Sequence, residues 1–234
     1  AHMWYGNLVT MAWWDDLWLN EAFASWMASK VMMDLYPEQN FKGRLVQEGA
    51  FGADASPTVR PVKKVVKSQT DVMDGLGLNY SKGESILQLI ESMVGEKAFQ
   101  KGIRTYMENN AWKNAQADDL WKVLSTVADF DVPAMMKTYL EQPSYPLIEF
   151  TANGEVSQSR YHLKGAEVEP QTWIVLLAIR YKKNGKVSRT NLFLNEAKTT
   201  VSELAEADWS FPSENAMGYM RWKVSTEQIS ALLK

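Results

Sequence analysis

The hydrophobic pattern of this chain changes period once, and the change falls at a pair of prolines, Pro143 and Pro146. Side chains on a helix return to one face after about 3.6 residues and those on a strand after about two, so no stretch of sequence serves both patterns. Before the prolines the spacing is helical; after them it alternates. The chain is therefore expected to be α+β, with a mainly helical part over residues 1–146 and an antiparallel β-sandwich over residues 147–234.

Within the first part, residues 15–36 read as one helix, with Asp15 as its cap and Pro37 as its stop. Leu17, Ala24, Ala28, Val31 and Leu35 form its expected apolar stripe, and Glu21 falls in that stripe. Residues 43–74 are rich in turn formers and read as loops with short helical pieces. A second helix is expected from near Ser81, breaking near Gly95 and resuming from Glu96 to about Met107. A third covers residues 118–128, and a short fourth follows Asp131 with Pro133 in its first turn. Strands are expected over 155–163, 172–181, 189–194, 198–204 and 218–224, with Lys183-Asn184-Gly185 as one of the turns. Residues 226–234 read as a closing helix or the start of a further domain.

Composition narrows the function classes. With 46% hydrophobic and 23% charged residues and a formal net charge of −3, neither disorder nor a nucleic-acid surface is expected. The absence of cysteine excludes disulfides and thiolate ligands but fixes no compartment. No apolar run reaches membrane-spanning length. The ten tryptophans include Trp4, Trp13, Trp14, Trp18 and Trp26, which crowd the N-terminal segment and require a large apolar environment.

Glu21 is the residue that calls for chemistry. An ionised carboxylate among apolar neighbours costs several kcal/mol unless a cation, a basic group or a proton compensates it. It stands nineteen positions after His2, a separation suited to a zinc site. In zinc hydrolases a helix bearing His-Glu-x-x-His supplies two imidazoles and a general base, and a glutamate from a later helix supplies the third ligand.

The segment from His2 through Gly6-Asn7-Leu8-Val9-Thr10 to Trp26 resembles the aminopeptidase N-like (gluzincin) zinc metalloaminopeptidases. Asn79-Tyr80-Ser81-Lys82-Gly83 resembles the Tyr-x-Lys-Gly element of that family. Residues 139–146, Tyr-Leu-Glu-Gln-Pro-Ser-Tyr-Pro, resemble its catalytic-domain exit, although Tyr139 and Ser144 stand where the family often has Trp and Gly.

The resemblance implies the C-terminal half of a thermolysin-like catalytic domain followed by a β-sandwich. It implies one Zn2+ with His2 and Glu21 among its ligands, Tyr80 as the donor to the oxyanion, and a peptide cleaved at its N-terminal residue by metal-activated water. Ala1-His2-Met3-Trp4-Tyr5-Gly6 matches the tail of the histidine-bearing helix. The other histidine, the catalytic glutamate, the Gly-x-Met-Glu-Asn strand that anchors a free amine, and in many members a helical C-terminal domain would then belong to further parts of the protein. This chain alone is expected to be inactive and to hold zinc weakly or not at all.

Plainer roles stay open for each residue. Ala1-His2-Met3 also matches a cloning remnant, and Glu21 could pair with a buried base. Tyr80 could be an ordinary packing residue. Lys82 is expected to be solvated or ion-paired, and Asp15, Asp16 and Asn20 to cap helices or meet solvent if they do not orient ligands. His162 is expected to be structural. A non-catalytic relative serving as an interaction scaffold, and an epoxide-hydrolysing relative with the same zinc core, are the alternative readings of the whole.

Overall fold

The computed structural model describes residues 1–39, 46–212 and 218–234, so the first residues of the expected 43–74 loop lie outside the description. The chain divides into two compact units, Ala1–Asp54 with Thr58–Pro143, and Ala55–Pro57 with Ser144–Lys234. Helix and sheet are mixed, as an α+β chain requires.

The first unit starts with a short strand, β1 (Val9–Met11), and a 3-10 turn that leads into α1 (Leu17–Leu35). Nineteen residues without Gly or Pro sustain α1, and Tyr36, the residue before Pro37, leaves the helical region and ends it. Its burial corrects the expected stripe. Leu17, Trp18, Leu19, Ala22, Phe23, Ala24 and Trp26 are buried, whereas Ala28, Val31 and Leu35 are exposed.

Aromatic packing explains the difference. Phe23 stacks on Tyr5 at 4.4 Å, Trp18 stacks on Trp121 at 5.7 Å, and Trp26 meets Phe99 edge-on. The first half of α1 is thus wrapped by the core, and its second half runs past it. The cap expected of Asp15 is also corrected. No side chain caps α1; Asp15 accepts the Val66 amide at 2.8 Å, and Asp16 accepts the Ala117 amide at 3.0 Å.

Short helices α2 (Glu48–Asp54) and α3 (Gln69–Met73) follow, then α4 (Leu76–Val94). α4 starts well before the expected Ser81, so Tyr80 lies in its second turn rather than at its beginning. The break at Gly95 separates α4 from α5 (Glu96–Asn110), as the sequence indicated. Lys113–Ala115 forms β2, which pairs in parallel with β1, a pairing that the periodicity does not reveal. α6 (Ala117–Leu124) is shorter than expected. α7 (Val132–Leu140) has Asp131 accepting the Ala134 amide at its N-terminus.

The second unit contains β3 (Pro146–Phe150), β4 (Glu155–Arg160), β5 (Val175–Lys183), β6 (Lys186–Leu194), β7 (Lys198–Thr200), β8 (Trp209–Phe211), β9 (Arg221–Lys223) and α8 (Thr226–Leu232). Two sheets result, ordered β7-β4-β3-β9 and β6-β5-β8. Alternate residues turn inward: Ile148 and Phe150 on β3, Val156 and Gln158 on β4, and Val175, Leu177 and Ile179 on β5 are buried. The buried Gln158 amide is satisfied, donating to the Trp173 and Glu196 carbonyls and accepting the Trp173 N–H.

The expectation of purely antiparallel pairing fails at one place. β3 and β9 run parallel, with Leu147 opposite Arg221 and Glu149 opposite Lys223. Parallel neighbours need a long connection, and here the intervening strands supply it.

Candidate active site

The three residues singled out by sequence come together on α1, α4 and the turn before β1. Glu21 projects from the second turn of α1, and its carboxylate Oε2 lies 3.5 Å from Nε2 of His2. Tyr80, on the second turn of α4, places its phenol against the same carboxylate. Hydrogen bonding to Glu21, then burial, then the carboxylate charge push its pKa up to about 12, so the hydroxyl keeps its proton across the physiological range.

The orientation of His2 follows from its other nitrogen. Nδ1 lies 3.2 Å from the Tyr5 carbonyl, which can only accept, so Nδ1 carries a hydrogen and Nε2 is the nitrogen that faces Glu21. Gly6 makes this approach possible. With φ +131 it occupies backbone space open to glycine, and a Cβ there would come within 3.2 Å of the His2 carbonyl oxygen and 3.7 Å of its Nδ1.

Glu21 Oε2 is buried and receives no hydrogen bond. A ring nitrogen therefore faces a buried carboxylate oxygen across 3.5 Å, and positive charge, from a ring proton or a metal ion, belongs between them. One imidazole nitrogen and one carboxylate oxygen are a chemically suitable pair of zinc donors, with the Tyr5 carbonyl orienting the ring as outer partners do in such sites. They fit half of a tetrahedral site. Among the described residues no group of three or more His, Cys, Asp or Glu gathers around a common point.

Other nominated residues have different occupations. Lys82 is buried and ion-paired with Asp54 at 2.9 Å, so the ion-paired alternative holds and the solvated one does not. Asp16 also approaches Lys63 at 3.5 Å and, like Asp15, ties loops to the start of α1. His162 is exposed beyond β4.

Sequence reading missed the contacts that hold α1 against α4. Ser29 donates to Glu84 at 2.5 Å, Trp26 donates to Glu91 at 2.9 Å, and Lys30 bridges Glu91 and Glu96. The polar residues on the inner face of α4 were the available signal.

The same chain matches known proteins. Residues 1–139 match the Peptidase family M1 domain, and the chain belongs to that family. It is 35% identical to a leucyl aminopeptidase of Saccharolobus solfataricus over 210 residues, 87% of this chain and 26% of that protein. It is 32% identical to an aminopeptidase N of Lactobacillus delbrueckii subsp. lactis over 216 residues, 88% of this chain and 26% of that protein. To aminopeptidase M1-B of Oryza sativa subsp. japonica the identity is 30% over 250 residues, 100% of this chain and 28% of that protein. The chain thus spans about a quarter of the length of these relatives.

Proposed function

We propose that the protein is a zinc-dependent aminopeptidase whose site is built in part by His2, Glu21 and Tyr80, within the C-terminal half of a thermolysin-like domain. The observation that carries this reading is the buried Glu21 oxygen without a hydrogen bond, facing Nε2 of His2 at 3.5 Å. His2 Nε2 and Glu21 Oε2 would hold the metal together with donors outside the described residues. Zinc, when bound, supplies Lewis acidity toward a carbonyl oxygen and lowers the pKa of a bound water.

The residues of the chain do the rest of their work by position. Glu21 sits in the second turn of α1 with its side chain 13% exposed, which keeps the carboxylate largely out of solvent. Tyr80 keeps its proton and is partly exposed on the side of Glu21, so its hydroxyl can donate to the oxygen of a peptide carbonyl as negative charge develops there. A donor that strengthens its bond only as charge builds lowers the barrier rather than the ground state. The N-terminal residue of a peptide is the proposed substrate, in keeping with the names of the relatives.

The test is hydrolysis of aminoacyl anilides by the full-length protein. Tyr80→Phe is expected to lower kcat roughly 10²-fold or more with a smaller change in KM, since loss of one oxyanion donor costs about 3 kcal/mol in the transition state. Absence of hydrolysis in the zinc-loaded full-length protein favours the scaffold alternative. Turnover of an epoxide in place of the anilides favours the epoxide-hydrolysing one.

A further inference from the structure

Gly83 of α4 lies directly against Ala22 of α1. A methyl group built on Gly83 would stand 2.6 Å from the Ala22 Cβ, 3.5 Å from its Cα and 3.8 Å from the Trp18 ring. Carbon atoms in contact normally rest about 3.5–4.0 Å apart, so α1 and α4 approach here more closely than any side chain at position 83 allows. The opposing surface has little room to yield. Ala22 and Trp18 are both fully buried, and Trp18 is stacked between this contact and Trp121.

The contact is adjacent to the proposed site on both helices. Glu21 immediately precedes Ala22, and Tyr80 stands one turn before Gly83 on the same face of α4. Further along the pair, Ser29 to Glu84 and Trp26 to Glu91 tie the helices together, and Lys82 to Asp54 fixes α4 to α2. With those ties in place, a spacer at position 83 acts mainly on the end of the pair that carries Tyr80.

We propose that Gly83 is a positioning residue, whose missing side chain lets α4 close on Ala22 and so sets the distance between the Tyr80 hydroxyl and the Glu21 carboxylate. The role rests on the assignment of Tyr80 and Glu21 made above. Relieving a 2.6 Å carbon contact moves the helices apart by about 1 Å, and a misplacement of that size costs roughly 10²-fold in rate. A glycine that served packing alone would affect stability and leave the turnover of each folded molecule unchanged.

The experiment compares Gly83→Ala, Ala22→Gly/Gly83→Ala and Tyr80→Phe in the full-length enzyme, reading kcat, KM and zinc content. In parallel, the 234-residue chain is labelled with 3-fluorotyrosine. The 19F resonance of position 80 is identified by its loss in Tyr80→Phe. Gly83→Ala is expected to lower kcat roughly 10²-fold, with KM and zinc content little changed and the position-80 resonance displaced.

The double variant, which returns the lost space from the other helix, should restore kcat to within a few-fold and bring the resonance back. Should Gly83→Ala fail to fold, the double variant decides: recovered kcat supports the inference and depressed kcat overturns it. Wild-type kcat with an unmoved resonance in Gly83→Ala, beside an impaired Tyr80→Phe, overturns this inference alone. Wild-type kcat in Tyr80→Phe overturns the site assignment instead, and the resonance still reports whether Gly83 sets the separation.

Discussion

Lys82 Nζ and Asp54 Oδ2 stand 2.9 Å apart with both side chains shut away from solvent, joining the second turn of α4 to the end of α2. Lys82→Met takes the ammonium away from the buried Asp54 carboxylate and is expected to destabilise the 234-residue chain by about 3–5 kcal/mol in urea unfolding. Lys82→Met/Asp54→Leu removes both charges and should recover most of that loss. A single variant as stable as the parent would show that the carboxylate has found another partner.

Lys30 gives a prediction in pH. Burial disfavours its charge, but hydrogen bonds from Lys30 to Glu91 and Glu96 and the fields of both carboxylates outweigh that and raise its pKa above the ordinary 10.5. A lysine whose pKa is raised on folding contributes stability that is complete below its unfolded pKa. The contribution disappears as pH climbs through the higher folded value, because the native state then holds the extra proton. Lys30→Met should therefore be less stable than the parent at pH 8, with the gap narrowing above pH ~10.5. A gap independent of pH would assign the effect to the lysine stem rather than its charge.

Ser144 carries a positive φ of 69, a conformation that costs an ordinary side chain roughly 1 kcal/mol or more. Its hydroxyl repays part of this by donating to the Tyr161 carbonyl at 2.8 Å. Ser144→Ala keeps the strain and loses the bond, so a loss of about 1–2 kcal/mol is expected. Ser144→Gly relieves the strain while losing the bond, and should stay within about 1 kcal/mol of the parent. Thermal melts of the two variants check the order; glycine falling below alanine would contradict it.

How far the sequence reached depended on the range of the forces involved. The change of period at Pro146, the break at Gly95 and the start of α7 after Asp131 are local consequences of backbone chemistry, and each was legible. The buried face of α1 was not, because Trp18, Phe23 and Trp26 find aromatic partners from Tyr5, Phe99 and Trp121, far apart in sequence. β1 and β2 are three residues each and owe their form to one another.

The start of α4 was hidden by Gly77 and Asn79, weak helix formers that tertiary packing overrides. His2 and Glu21 were named from their spacing and Tyr80 from a family resemblance, and the structure brings the three side by side. Gly83 illustrates the opposite case. In isolation a helical glycine looks like a weakness; only the position of Ala22 turns it into a contact.

The donor count bears on the 234-residue chain itself. With two proposed donors among the described residues, one of them in the exposed opening turn, it should bind zinc weakly, and dialysis followed by elemental analysis should find well under one zinc per chain. Near-equimolar zinc would require a further donor, from this chain or a second copy.

Zinc content in the full-length protein is the direct test of whether His2 Nε2 and Glu21 Oε2 donate to one metal ion. Close to one zinc per wild-type molecule is expected after dialysis, with a large loss in both Glu21→Ala and His2→Ala and each variant still folded by circular dichroism. Stoichiometric zinc retained in Glu21→Ala would contradict this assignment, because the buried oxygen that faces His2 would then be holding nothing.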